Sequence, residues 1–325
     1  MFGAKLTGPR QFELIHRPAP DFESAEPGSI LVKTHRATIC GSDMPYYLGV
    51  HGPSQYMAQE CFPAHECVGE VVATHSDQFA VGDAVMSQPD AFAGLGQYYM
   101  ARDWRSVKIP NDGDWNKWVV AQPLGTVIWG MRKVGALFHQ RVVVLGQGAI
   151  GLLATQMAAN LGASTIIAVD PHPYRLDVAA ATGATHTLTH TDESLYRAVN
   201  EIVQGQGADL VVEAVGHQKE TLNTAIRLVK HSGTILAFGV PDENVYPILY
   251  SELFRKNAHL ITTVTATDMP KDFALAVQLI KAGRINVTPF VTHEFPFSRL
   301  KEAFDLFHER RDGVIKVMIN YDQAE

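Results

Sequence analysis

The sequence is short of the features that mark several large classes of protein. Three cysteines, Cys40, Cys61 and Cys67, are too few and of the wrong parity for a disulfide framework in 325 residues. Basic residues do not gather: the densest group is Glu309-Arg310-Arg311, read as a solvated helix face. With a net charge of −7 the chain has no electrostatic case for nucleic acid or an anionic membrane. No apolar run is long enough to span a bilayer, and the opening MFGAKLTGPR lacks the apolar core of a signal peptide, so a cytoplasmic protein is expected. Internal repeats, low-complexity tracts and flexible linkers are missing too. What is left, 46% apolar and 19% charged residues, has the composition of an ordinary globular protein, long enough for two domains.

The texture changes once along the chain. Up to about residue 120, short β-prone runs such as 30–34, 69–74 and 106–110 are broken by glycine and proline, which predicts a compact, partly barrel-like antiparallel domain. From about 124, strands at 142–145, 166–169, 209–213, 234–239 and 259–264 alternate with helices at 149–161, 173–182 and 219–230. That alternation predicts an α/β fold with a doubly wound parallel sheet covered on both faces. A tail with a helix (272–282), a strand (287–293), a helix (298–309) and a last strand (313–319) is expected to fold back onto the first domain. The boundaries read as 1–123, 124–266 and 267–325.

The most informative stretch is 142–170. A buried apolar strand runs into Gly146-Gln147-Gly148-Ala149-Ile150-Gly151, small apolar residues follow at helical spacing, and a second strand ends on Asp170. Each glycine answers a physical need. Gly146 permits the tight turn, Gly148 lets the backbone approach a pyrophosphate, and Gly151 lets helix pack closely on strand. The helix start offers free N–H groups and a positive dipole end. An acid placed as Asp170 is would accept from the adenosine ribose hydroxyls and disfavour a 2′-phosphate, which points to NAD rather than NADP.

A second constellation lies ahead of this fingerprint, in Cys40-Gly41-Ser42-Asp43 and His65-Glu66-Cys67. A cysteine and a histidine this far apart are weak evidence for zinc on their own; the bland reading is a buried thiol and a satisfied core histidine. Asp43 adds weight because it could hold the far nitrogen of a ligating His65, and Ser42 could carry a substrate proton.

CGSD at 40–43, HECVGEV at 65–71, VGDAV at 81–85, GQGAIG at 146–151, EAVG at 213–216 and THEFPFSRLKEAFDLF at 292–307 together resemble the zinc-type medium-chain dehydrogenases/reductases, the family of alcohol, sorbitol, threonine and glucose dehydrogenases. The similarity spans essentially the whole chain, and CGSDMPYY with the THEFPF tail is most similar to the polyol and sugar branches. The resemblance implies a Rossmann domain beside a discontinuous GroES-like catalytic domain, and hydride transfer between an alcohol, polyol or sugar and NAD. It implies one catalytic Zn²⁺ ligated by Cys40 and His65, with Glu66 as a ligand or as an acid that displaces water. Ser42 is implied as the proton acceptor and Asp43 as the partner of His65. It places Gly146, Gly148, Ala149, Ile150, Gly151, Asp170, Arg175 and Val240 with the dinucleotide, Arg175 through the DxxxxRL pattern, and Lys316 near the cofactor. It also implies a homodimer or homotetramer joined through the edge of the nucleotide sheet.

Three positions depart from the family pattern. The third zinc ligand, usually cysteine or glutamate, is Gln122 in Ala121-Gln122-Pro123-Leu124; an amide oxygen is a weaker zinc ligand than thiolate or carboxylate. Residues 86–120 hold no cysteine, so the structural zinc of some members is not expected. Pro45 stands where many members carry a proton-relay histidine, and His51 is nearby. Two other readings stay open: a zinc-free reductase acting on enones, quinones or aldehydes, opposed by the retention of Cys40, His65 and Glu66, and a non-catalytic dinucleotide-binding protein. Substrate contacts are expected from 46–58, 90–97 and 262–270, with Tyr46, Tyr47 and His51 as polar candidates.

Overall fold

A computed structural model of the chain describes residues 1–50, 59–189, 193–264 and 268–323. They form two compact units: Met1–Gly125 with Asp268–Ala282 and Val287–Glu325, and Thr126–Thr267 with Gly283–Asn286. His51 lies outside the described residues.

The chain opens with the hairpin of β1 (Phe2–Gly8) and β2 (Gln11–His16). Strand β3 (Ser29–Thr38) is followed by the short helix α1 (Met44–Tyr47), then β4 (Glu66–Thr74), β5 (Ala84–Pro89) and β6 (Tyr98–Lys108). These four strands pair antiparallel in order, and β6 returns to pair with β3, closing the sheet on itself. Helices α2 (Trp115–Trp118) and α3 (Ala121–Val134) follow.

The second unit alternates β7 (Arg141–Leu145), α4 (Ala149–Asn160), β8 (Thr165–Val169), α5 (Pro173–Thr182), β9 (His186–Leu188), α6 (Ser194–Ile202), β10 (Ala208–Glu213), α7 (Glu220–Leu228), β11 (Val229–Ala237), α8 (Tyr250–Arg255) and β12 (His259–Thr262). All strand pairs are parallel, in the order β12-β11-β10-β7-β8-β9. Val142, Val143 and Val144 are fully buried, as an interior strand covered on both faces demands. Helix α4 is buried from Gly151 to Ala158, which its small and apolar residues permit. The strand order reverses between β7 and β10, the switch point at which open α/β sheets bind ligands.

The tail contributes α9 (Met269–Lys281), β13 (Val291–Pro296), α10 (Leu300–Glu309) and β14 (Lys316–Asn320). It returns to the first unit: β14 pairs antiparallel with β3, Met318 opposite Thr38, and β13 lies parallel to β14. Leu300, Ala303 and Phe304 of α10 enter the barrel core with Tyr47 and Ile319. The strand expected at 287–293 starts only at Val291, because 287–290 form a turn closed by the Phe290 N–H on the Val287 carbonyl (3.1 Å). The helix expected at 219–230 stops at Leu228, where β11 begins. Helix α9 starts earlier than 272, with Pro270 in its first turn, where a missing N–H costs nothing. Among the described residues no helix is long and apolar enough to cross a membrane.

Candidate metal centre and dinucleotide turn

The first site grows out of strand pairing. Thr38 ends β3 and Glu66 begins β4, and the register sets them opposite each other. Cys40 therefore leaves β3, and His65 enters β4, at the same end of the barrel. The ligand atoms of Cys40, His65 and Glu66 lie within 4.8 Å of one another. A zinc ion sits about 2.0–2.3 Å from N, O and S donors, so small side-chain rotations would close this set around it.

Asp43 organises the two softer donors. The chain turns through Gly41–Asp43 with Cys40 at its start, and the Cys40 N–H donates to Asp43 Oδ2 (2.9 Å). The other oxygen, Oδ1, lies 3.3 Å from His65 Nδ1. With Nδ1 turned to a carboxylate, Nε2 is the nitrogen left for a metal, the usual arrangement of a ligating histidine. The Ser42 hydroxyl donates to Cys40 Sγ (3.3 Å), within reach of anything bound there.

Glu66 is anchored from its other side. The Thr38 hydroxyl donates to its Oε2, and Lys316 Nζ from β14 stands 2.5 Å from the same oxygen. Thr38, Asp43, Glu66 and Lys316 are each no more than 2% exposed. Lys316 is thus an ion-pair partner of Glu66. Burial works against a charge on His65, yet Asp43 and Cys40 raise its pKa well above the ordinary value. Burial likewise opposes the charge on Lys316, and Glu66 and Cys40 raise it. The cluster's negative charge draws protons onto His65, and a divalent cation answers the same demand.

Three further candidates are placed by their own contacts. Gln122 is buried in the first turn of α3, its N–H on the Val119 carbonyl (3.3 Å). Tyr47 is core: it is fully buried and its hydroxyl donates to Asp305 of α10 (2.7 Å). Tyr46 packs edge-on against Phe62.

The second site is made of backbone. Gly146 has φ +84° and packs so tightly that a Cβ there would stand 2.6 Å from Val215 Cγ2. A Cβ on Gly151 would stand 1.8 Å from the Gly146 carbonyl oxygen, so α4 can approach β7 only with glycine there. Gly148 caps α4, with no side chain bonded to the helix start, and a Cβ on it would meet nothing within 4 Å. That open cradle beside the free N–H groups of Ala149 and Ile150 fits a pyrophosphate. Asp170, at the end of β8, is 3% exposed and holds the turn itself: Oδ2 accepts from the Gln147 N–H (2.7 Å). Its Oδ1 accepts from the His172 N–H (2.9 Å) and faces His172 Nδ1 (2.8 Å). Arg175 Nη1 lies 3.6 Å from Asp170, and its guanidinium lies over the Tyr174 ring. Sequence reasoning missed His172 as a partner of Asp170, although its spacing of two residues is that of an Asx-type turn. Val240, partly exposed, accepts from the His217 N–H (2.9 Å) after β10.

Comparison with known proteins identifies the family. Residues 26–137 match the alcohol dehydrogenase GroES-like domain and residues 149–282 the zinc-binding dehydrogenase family. An alcohol dehydrogenase of Cupriavidus necator is 26% identical, the match covering 98% of each chain. A sorbitol dehydrogenase of Bacillus subtilis is 24% identical over 98% of this chain and 97% of its own. The fold superposes on an alcohol dehydrogenase from Thermus sp. ATN1 with a TM-score of 0.85 at 24% identity, covering 98% of this chain and 99% of that one. The chain belongs to the zinc-type alcohol dehydrogenase superfamily, the medium-chain dehydrogenases/reductases.

Proposed function

We propose that this protein is a zinc-dependent oxidoreductase that moves a hydride between the hydroxyl of an alcohol, polyol or sugar and NAD. The observation that carries the reading is the Asp43 carboxylate, which fixes the Cys40 backbone and His65 at once, beside a group of ligand atoms from Cys40, His65 and Glu66 within 4.8 Å of one another. Zinc at that point would be held by Cys40, His65 and Glu66, with the Gln122 amide oxygen as a further donor. When bound, it supplies a Lewis acid that lowers the pKa of a substrate hydroxyl, and the nicotinamide accepts the hydride.

The chain's own residues do the rest. Asp43 keeps His65 oriented, and the Ser42 hydroxyl takes the substrate proton and passes it to solvent. Lys316 and Thr38 hold the buried Glu66 carboxyl group in place. The turn 146–151 seats the pyrophosphate, and Asp170 opposes a 2′-phosphate, which favours NAD. The enzyme works as a homodimer or homotetramer: β12 is an edge strand, and Tyr250, Phe254 and Val264 expose large apolar side chains on and beside α8 and β12. It acts in the cytoplasm, where its three free thiols stay reduced.

The test is elemental analysis of the purified protein together with NADH formation on a panel of alcohols, polyols and sugars. About one zinc per chain is expected, with NAD preferred over NADP. Protein without zinc after growth in zinc-supplemented medium, or turnover undiminished by its removal, would overturn the reading.

A further inference from the structure

Glu213, the last residue of β10, is a buried carboxylate that none of the roles above uses; it is 4% exposed, and burial pushes its pKa up. Its Oε1 accepts from the Val215 N–H (2.9 Å) and the Thr221 hydroxyl (3.0 Å), in the loop after β10 and the first turn of α7. Its Oε2 accepts from the Gly239 N–H (3.1 Å), in the loop after β11. A Cβ on Gly239 would stand 2.4 Å from that oxygen, so only glycine lets the carboxylate seat. The glycine turn joins the same assembly: the Ala214 N–H donates to the Leu145 carbonyl (2.9 Å), and Gly146 packs against Val215. Loops from the C-terminal ends of β7, β10 and β11 thus meet around one carboxylate, at the switch point of the sheet. Every donor it binds, apart from Thr221, is a loop backbone N–H. Desolvating a carboxylate costs free energy that neutral packing would not.

We propose that Glu213 is a positioning residue for the dinucleotide: it clasps the loops after β10 and β11 to the glycine turn and so presets the seat of the ligand without touching it. The inference rests on the dinucleotide reading above. Loops ordered in advance spare the ligand the cost of ordering them on binding, so loss of the clasp weakens affinity more than chemistry.

The test uses the full-length, zinc-replete protein and two readouts: NADH affinity by fluorescence titration, and hydrogen–deuterium exchange without nucleotide. Glu213→Gln keeps the shape but puts an amide N–H₂ against one of the donors. It is expected to speed exchange in 214–217 or 238–240 and to raise the NADH Kd about tenfold, with kcat at saturating NAD within about threefold of wild type. Gly239→Ala, which leaves the carboxylate intact but displaces it, is expected to do the same. Thr221→Val removes one bond of three and should give a smaller rise, and it keeps the test open if Glu213→Gln does not fold. Wild-type exchange and affinity in these variants would overturn the proposal, as would faster exchange with unchanged NADH affinity. A wild-type protein that binds no NADH would overturn the dinucleotide reading itself, and that result is seen before any variant is compared.

Discussion

At the candidate metal cluster, carboxylates mostly meet side chains: Asp43 faces His65 besides accepting from the Cys40 N–H, and Glu66 takes Lys316 and Thr38. At the candidate dinucleotide turn, carboxylates mostly meet backbone: Asp170 holds the N–H groups of Gln147 and His172 besides facing the His172 ring, and Glu213 those of Val215 and Gly239 besides the Thr221 hydroxyl. The difference follows from what each site is proposed to bind. A cation needs a fixed set of anionic and neutral donors with the surplus charge balanced nearby. A pyrophosphate needs exposed N–H groups and room, so glycines set the shape and acids only brace it. The first site should therefore fail when charge is altered, and the second when volume is added.

The largest effect is expected at Cys40. Cys40→Ser should lose the zinc and at least about 10³-fold in turnover, the equivalent of several kcal/mol of electrophilic stabilisation. NADH affinity should stay within about twofold, since Cys40 takes no part in the turn. Metal analysis and NADH titration on one preparation decide it; affinity lost along with the metal would break the separation of the two sites.

Lys316→Met comes next. It removes one partner of a buried ion pair, a change that costs about 3–5 kcal/mol in comparable sites. Urea denaturation of the zinc-free protein should show it, and the double change with Glu66→Leu should recover part of the loss. A cost below about 1 kcal/mol would mean that Glu66 is not held as a buried charge.

Two alanines probe the other side of the comparison. Gly151→Ala forces a methyl against the Gly146 carbonyl and should cost about 1–3 kcal/mol of stability as well as NADH binding. Gly148→Ala points into open space, so stability should change by less than about 1 kcal/mol while the NADH Kd still rises about tenfold. Equal effects on stability would mean that the space at Gly148 is not reserved for a ligand. Zinc content should be normal in both.

The two sites are unequally legible in the sequence. The turn is local: strand, glycines, helix and Asp170 fall in one continuous stretch, each with a backbone reason to be there. The ligand pair Cys40 and His65 is visible only through neighbours such as Asp43, since the chain between them says nothing about distance. The Glu66–Lys316 pair cannot be read at all, because it depends on β14 returning to β3 from the far end of the chain. Tyr47 meets the same limit. Its closeness in sequence to Cys40 suggests a pocket, but α10 covers it and takes its hydroxyl. Helices α6 and α8 are absent from the elements expected above, although Leu195 and Val199 mark the buried face of α6 at helical spacing.

The smallest effect sharpens the contrast from within the nucleotide unit. Asp209, at the start of β10, does meet cations: it accepts from Arg141 Nε (2.9 Å) and pairs with Lys230 (2.5 Å). Burial alone would raise its pKa, but Arg141 and Lys230 hold it well below 3.8. A depressed folded-state value means stability that is present above pH 3.8 and is lost as the pH falls through the folded value. Asp209→Asn should therefore cost about 1–3 kcal/mol at pH 7 and flatten the acid side of the stability profile. Yet Arg141 and Asp209 sit at the strand ends away from Gly146, so NADH affinity should not move. If it does, charge placed anywhere on this sheet reaches the ligand, and the division between a site built of charges and one built of backbone would have to be given up.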